Sequence, residues 1–274
     1  MTAVDDVTEP ATATPLYSAG PSAAFFDLDR TLISGSSVFA LAAAARTQKL
    51  LPTHELARDA VGAAAFKVFG AAKDGAAEWA RERILGFIRG VRQNDLVALN
   101  EQVLPNLLGK IRPEARRLVD LHRHAGRNTY IVSAAPQEIV APLATALGMT
   151  GGIGTRGAVL DGVYTGELEG PFCYGPGKVE AIAEIARWDG LDLAQCYAYS
   201  DSHSDLPMLE AVGHPVAVNP DRELERHARV NAWPIVIFSR RTKTVIRRTA
   251  AGIGSAAVAA GAFIAGLELG KRRR

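Results

Sequence analysis

The sequence predicts an α/β protein: a Rossmann-like parallel sheet with an inserted all-helical cap, followed by an apolar and basic C-terminal tail helix. Three observations predict it. Short apolar runs recur along the chain, and several stop at a carboxylate or hydroxyl. Such runs are buried strands whose C-terminal ends carry polar work. Helical patterns lie between these runs, as in a parallel sheet covered on both faces. Finally, one long stretch, 36–110, carries no strand signal. With 274 residues, 48% hydrophobic and 22% charged, the chain is long enough for one large or two small domains. The composition excludes wholesale disorder, collagen and coiled coil.

Residues 1–20 are small, polar and acidic, with neither a basic start nor an apolar run. They read as a disordered lead-in rather than a signal peptide. The first strand is 23–26, stopping at Asp27. Four helices are expected next, over 36–50, 53–70, 74–90 and 94–109. Asp74 and Asn94 would be N-caps and Gly70, Gly90 and Gly109 stops. A helix over 113–125 precedes the second strand, 128–133, and another over 137–147 follows it. Residues 158–168 form a hairpin turning at Asp161-Gly162. A helix over 178–188 leads to the third strand, 196–200. The fourth and fifth strands are 215–219 and 234–238. The expected division is 1–20 lead-in, 21–35 and 111–238 core, 36–110 cap, and 239–274 tail. A helical block inserted after a catalytic strand end would act as a lid.

Four features fall in order at strand ends or helix starts. Asp27-Leu28-Asp29-Arg30-Thr31 follows the first strand, where two carboxylates can face one cleft, one attacking and the other moving protons. The alternative is a polar turn in which either Asp merely caps. Ser133 closes the second strand before Ala134-Ala135, and a hydroxyl with backbone N–H groups makes an anion seat. The alternative is an ordinary Ser N-cap. Lys178 follows Gly175-Pro176-Gly177, and a fixed ammonium there neutralises developing charge. A helix N-terminus disfavours a cation, which weakens the reading of Lys178 as a plain surface residue. Ser200-Asp201-Ser202-His203-Ser204-Asp205 follows the third strand, and its two acids make a hard oxygen site for Mg²⁺. The alternative is Asp205 as an N-cap; His203 reads as a solvated loop residue.

Taken together, DLDRT, VSAAP, the lysine of GPGK and SDSHSD resemble the four motifs of the haloacid dehalogenase superfamily. The resemblance covers residues 23 to about 238 and is nearest to the phosphoserine-phosphatase-like branch, family IB. It implies a Mg²⁺-dependent phosphomonoester hydrolase working through an aspartyl-phosphate. Asp27 would be the nucleophile and Asp29 the general acid and base, with its pKa raised towards working pH. Thr31 would orient the Asp29 region. Thr31, Ser133, Ala134 and Lys178 would meet the phosphate. Asp27, the backbone carbonyl of Asp29 and Asp201 would hold Mg²⁺, supported by Asp205. The sequence departs from the branch at two positions. The pattern DxDSTLIxxE ends on a Glu that meets the amino group of phosphoserine, and Ser36 stands there instead. The fourth motif begins Ser200-Asp201 rather than Gly-Asp. The substrate implied is a small soluble or lipid-linked phosphate monoester, with phosphoserine as the alternative. A non-catalytic membrane- or partner-binding scaffold is the reading from another class.

The net charge of +2 hides an asymmetry. Residues 239–274 hold nine basic residues against one acid, leaving 22 basic and 28 acidic residues in the remainder. An acidic body is not built to coat nucleic acid, so no nucleic-acid partner is expected. Residues 249–267 carry no charge and are long enough to cross a bilayer core, but they are rich in Ala and Gly. Their basic flanks suit an anionic membrane surface, met through residues 240–274; the alternative is a soluble packing helix or a disordered tail. The two cysteines, Cys173 and Cys196, make no disulfide framework and fit a reducing compartment. Zinc spacing is absent. The expected location is the cytoplasm, with membrane association through the tail.

Overall fold

The computed structural model describes residues 21–48, 76–238 and 245–247. The expected lead-in 1–20, the helix 53–70, the Asp74 cap and the uncharged tail 249–267 lie outside them.

Strand β1 (Ala23–Phe26) is an interior strand, third in a seven-stranded sheet ordered β3-β2-β1-β6-β7-β8-β9. Strands β2 (Asn128–Pro136), β3 (Gly151–Thr155), β6 (Tyr197–Ser200), β7 (His214–Val218) and β8 (Ile235–Ile237) run parallel with it. Strand β9 (Val245–Arg247) closes the edge antiparallel to β8. All four residues of β1 are buried, and successive residues serve opposite faces. Ala24 and Phe26 join one core, with Ile131, Leu118, Ile139 and Leu143. Ala23 and Phe25 join the other, with Val132, Ile182, Met208 and Leu224. An uninterrupted apolar strand is what a doubly covered sheet requires.

Helices α5 (Pro113–His124) and α6 (Gln137–Ala146) contribute to the first core. The second is completed by α7 (Pro176–Asp189), α8 (Leu206–Glu210) and α9 (Arg222–Val230). The chain runs β1, β2, β3 to one side, then returns to place β6 on the other side of β1. That reversal puts a crevice at the C-terminal ends of β1 and β6, where open α/β sheets bind ligands. Within the first core, Phe26 stacks on Tyr199 at 4.6 Å, and His122 Nε2 lies 2.7 Å from the Tyr199 hydroxyl. Burial, helped by nearby Arg127, pulls the His122 pKa down to about 3, so the ring is neutral.

Four helices of the insert are described: α1 (Ser37–Thr47), α2 (Ala76–Ile88), α3 (Gln93–Ala98) and α4 (Asn100–Leu108). The single helix expected over 94–109 is thus two, and its cap is Arg92 rather than Asn94. Tertiary pairing supersedes the side-chain cap: Arg92 bridges to Val163, and the Gln93 N–H donates to the Gly162 carbonyl at 2.9 Å. Those partners belong to the hairpin β4 (Gly157–Leu160) and β5 (Val163–Leu168). It turns through Asp161 (φ 50°) and Gly162 (φ 77°), the two positive φ values of a type I′ turn. The hairpin packs on α2, where a Cβ at Gly157 would come within 2.6 Å of Ile88. The second layer is therefore helical with a β-hairpin against it.

Candidate active site

The site is built at the ends of β1, β2 and β6 and at the start of α7. Asp27 follows β1, and its backbone N–H donates to the Tyr199 carbonyl of β6 (2.9 Å), extending the parallel ladder by one residue. Its side chain caps nothing. Instead Lys178 Nζ donates to Asp27 Oδ1 at 2.6 Å and to Asp205 Oδ2 at 2.8 Å. Ser200 Oγ donates to the same Asp205 oxygen at 2.6 Å. Asp27, Lys178, Ser200 and Asp205 are all buried. Asp205 stands at the N-cap position of α8 but makes no side-chain cap bond, so the capping alternative fails.

Lys178 reaches this position because α7 begins abruptly. Gly175 takes φ 52°, Pro176 opens the helix, and a Cβ on Gly177 would sit 1.8 Å from the Phe172 carbonyl oxygen. Only glycine allows that approach. Burial pulls the Lys178 pKa down, but the attraction of Asp205 and Asp27 outweighs it, and the net direction is upward. The ammonium is charged. Burial pushes the Asp27 carboxyl well up; Lys178 pulls it down, while Asp205, Asp201 and Asp29 push the same way as burial. Asp201 is likewise pushed up to about 7 by burial, against the pull of Arg30.

Asp29 points the other way, towards the insert. Its Oδ1 accepts the Ser37 backbone N–H (2.7 Å) and its Oδ2 the Ser36 hydroxyl (3.0 Å). Burial raises its pKa, and these hydrogen bonds moderate the rise. Ser36, at the position of the branch's Glu, is thus turned onto Asp29. Thr31 is buried, and its hydroxyl has no hydrogen-bond partner among the described residues.

Ser133 does not cap a helix. Strand β2 runs on through a register shift to Pro136, which is the N-cap of α6. The buried Ser133 hydroxyl instead accepts the Ala135 N–H at 3.2 Å, with Ala134 between them. Phe26 pairs with Ile131, so Ser133 and Ala134 lie just beyond the level of Asp27 on the neighbouring strand. His203 sits in a short 3₁₀ turn, partly buried; its backbone N–H donates to Asp221 Oδ2 at 2.8 Å. Asp221 in turn donates its own N–H to the Asp201 carbonyl (2.8 Å) and caps α9, bracing the metal-motif loop.

Arg30, Ser36, Ser200 and Asp221 are contributors that sequence reasoning assigned no role in the site. Ser36 was noted only as standing where the branch has a Glu, and Ser200 only as a polar residue ending a buried strand.

Of three buried acids, Asp27 and Asp205 share one buried cation, Lys178, and Asp201 pairs with the half-exposed Arg30. Among the described residues no ready-made cluster of three His, Cys, Asp or Glu side chains stands at metal-ligand spacing. The donor chemistry nevertheless fits a hard divalent cation: the acids are oxygen donors, and burial drives the pKa values of Asp27 and Asp201 up.

Known proteins place the chain. Over 251 residues it is 39% identical to a probable phosphatase of Mycobacterium tuberculosis, covering 88% of this chain and 87% of the relative. It is 36% identical over 234 residues to a phosphoserine phosphatase of the same organism, covering 85% and 74%. A crystal structure of a Bordetella pertussis protein of unknown function superposes with a TM-score of 0.67 at 30% identity, covering 78% of this chain and 97% of that one. The model of haloacid dehalogenase-like hydrolases matches residues 24–210, from β1 through the loop that carries Asp201 and Asp205. With that span covering more than half of the chain and including Asp27, Lys178, Asp201 and Asp205, the chain belongs to the haloacid dehalogenase-like hydrolase family.

Proposed function

We propose that the chain is a Mg²⁺-dependent phosphatase that hydrolyses a phosphate monoester through an aspartyl-phosphate on Asp27. The observation that carries this reading is the buried group of Asp27, Lys178 and Asp205 at the crevice between β1 and β6. Asp27 Oδ1 lies within reach of a cation that can also receive a phosphoryl oxygen. Asp29 is the general acid for the leaving alkoxide and then the base for water. Its upward-shifted pKa suits that exchange, and its bonds to Ser36 and Ser37 hold it to one side of the nucleophile. The unpartnered Thr31 hydroxyl, Ser133, the Ala134 backbone and Lys178 meet the phosphoryl oxygens. Asp27, the Asp29 carbonyl and Asp201 hold Mg²⁺, with Asp205 fixing Lys178 beside it. When bound, the metal offsets the repulsion between carboxylate and phosphate. Names among the relatives, a probable phosphatase and a phosphoserine phosphatase, support the reaction class.

For the leaving group, the rim favours an apolar partner. Val38 and Phe39, in the first turn of α1 directly after the residues that hold Asp29, are exposed. Ser36 brings no negative charge to meet an ammonium. Both support a lipid-linked or otherwise apolar monoester. The similarity to a phosphoserine phosphatase favours phosphoserine as the second reading. Attachment to an anionic membrane surface through 240–274 belongs to the first. No helix among the described residues is long and apolar enough to cross a membrane.

The test is phosphate release with Mg²⁺ from phosphoserine, polyol phosphates and micellar phospholipid monoesters. Asp27→Asn is expected to cut turnover by at least about 10³-fold and to abolish trapping of the aspartyl-phosphate. Full turnover in that variant overturns the mechanism. Preference for micellar substrates, with co-sedimentation on anionic vesicles, supports the lipid reading; preference for phosphoserine replaces it with the second.

A further inference from the structure

Arg30 has no task in the chemistry proposed above, yet the loop goes to some length to place it. Its backbone is left-handed (φ 61°, ψ −10°), a conformation that a long side chain rarely adopts and that only surrounding structure sustains. That structure is visible. The Arg30 N–H donates to the Gly35 carbonyl at 2.8 Å, and the Ile33 N–H closes the loop onto the Leu28 carbonyl at 3.0 Å. The result carries the guanidinium from the end of β1 across to the end of β6. There Arg30 Nε lies 2.8 Å from Asp201 Oδ2. The two side chains differ in setting: Arg30 is 55% exposed and Asp201 only 7%. A half-exposed cation is therefore paired with a buried acid that has no other ion-pair partner among the described residues. The Asp201 backbone is held independently, through its carbonyl to the Asp221 N–H. Arg30 is thus not needed to position the loop.

We infer that Arg30 is a tethered counter-cation of the metal site, competing with the divalent cation for the Asp201 carboxylate. The inference rests on the metal assignment proposed above, which makes Asp201 a ligand. The carboxylate's other oxygen stays open to a metal, but a metal that takes Oδ2 must displace the guanidinium paired to it at 2.8 Å, and there one partner must yield. Arg30 is the half that can. Its head is half in solvent, where leaving costs little, whereas Asp201 is fixed by burial. Two consequences follow. The acid cluster is partly neutralised before metal enters, which limits repulsion among its buried carboxylates. Metal affinity is also set below what the carboxylates alone would give.

The test is isothermal titration of Mg²⁺ into full-length protein freed of metal with a chelator, at fixed ionic strength, for wild type, Arg30→Gln, Arg30→Lys and Asp201→Asn. Far-UV circular dichroism and thermal melting accompany each. Arg30→Gln is expected to bind Mg²⁺ about three- to fivefold more tightly than wild type, the range a half-exposed ion pair allows. Arg30→Lys keeps a competing cation and should stay near wild type. If Arg30→Gln binds no more tightly than wild type while Asp201→Asn loses binding, the competition is overturned and the metal site stands. If wild type itself binds no Mg²⁺, or Asp201→Asn binds as well as wild type, the metal assignment falls and the inference with it.

Discussion

At the floor of the cleft, Lys178 is enclosed between two buried carboxylates and reached only through the abrupt start of α7. At the rim, Arg30 and Ser36 answer the same kind of group, an acid each, from half-exposed positions on the loop into the insert. The floor draws on residues from β1, β6, α7 and the turn before α8, and its hydrogen bonds are 2.6–2.8 Å long. The rim side chains that answer these acids lie within a single stretch, residues 29–39. Charge held by four separate elements of a closed core cannot shift without unpacking that core. Charge held by one loop can change partner. The contrast assigns the invariant part of the chemistry to the floor, and selectivity and metal exchange to the rim.

The largest effect should come from breaking the floor. Lys178→Ala leaves Asp27 and Asp205 buried and uncompensated, a loss of about 3–5 kcal/mol. A lowered urea midpoint, with activity gone even where the variant remains folded, is the expected result. A variant as stable as wild type would show that the floor is no more rigid than the rim. Next is the rim. Ser36→Ala removes one of the hydrogen bonds that moderate the Asp29 pKa, which should rise further under burial. The limb of the pH–rate profile governed by Asp29 is expected to move to higher pH by less than about one unit, with stability nearly unchanged. A shift to lower pH would contradict the role given to Ser36.

The smallest effect at neutral pH belongs behind the floor. His122 is held neutral with its pKa near 3, against an ordinary value of 6.5. Its contribution to stability is fully present above about pH 6.5 and is lost as pH falls from there towards 3, because the unfolded state binds the proton first. Thermal melting should therefore fall more steeply with acid in wild type than in His122→Gln. Equal slopes would show that His122 already takes up a proton in the folded state.

Where sequence and structure agree, the physical signal was local. Strand β1 is the run 23–26 as read, because a doubly covered strand must be apolar throughout. Lys178 was legible through the Gly-Pro-Gly that precedes it. Strand β3 was not, since Gly151-Gly152-Ile153-Gly154-Thr155 carries neither alternation nor an apolar run. Its glycines serve close approach instead: a Cβ on Gly152 would lie 2.6 Å from the Val140 carbonyl oxygen, and one on Gly154 2.7 Å from that of Ala135. The pairing of Arg30 with Asp201 was hidden for a different reason. It spans 171 positions and depends on a left-handed residue that nothing in Arg itself favours. The Arg92 cap was missed because a hairpin some seventy residues later provides it.

The interior place of β1 has a consequence for the order of synthesis. Asp27 leaves the ribosome well before the strands that flank it: Ala24 pairs with Thr129 on one side and Tyr197 on the other. The lysine that neutralises it lies 151 residues downstream. Contacts so distant in sequence form slowly and late. A nascent chain therefore carries the Asp27 carboxylate without its partners until Lys178 and the flanking strands have emerged. On the proposed reading, the site is assembled only once the core has closed, so that catalytic competence would itself report that folding is complete.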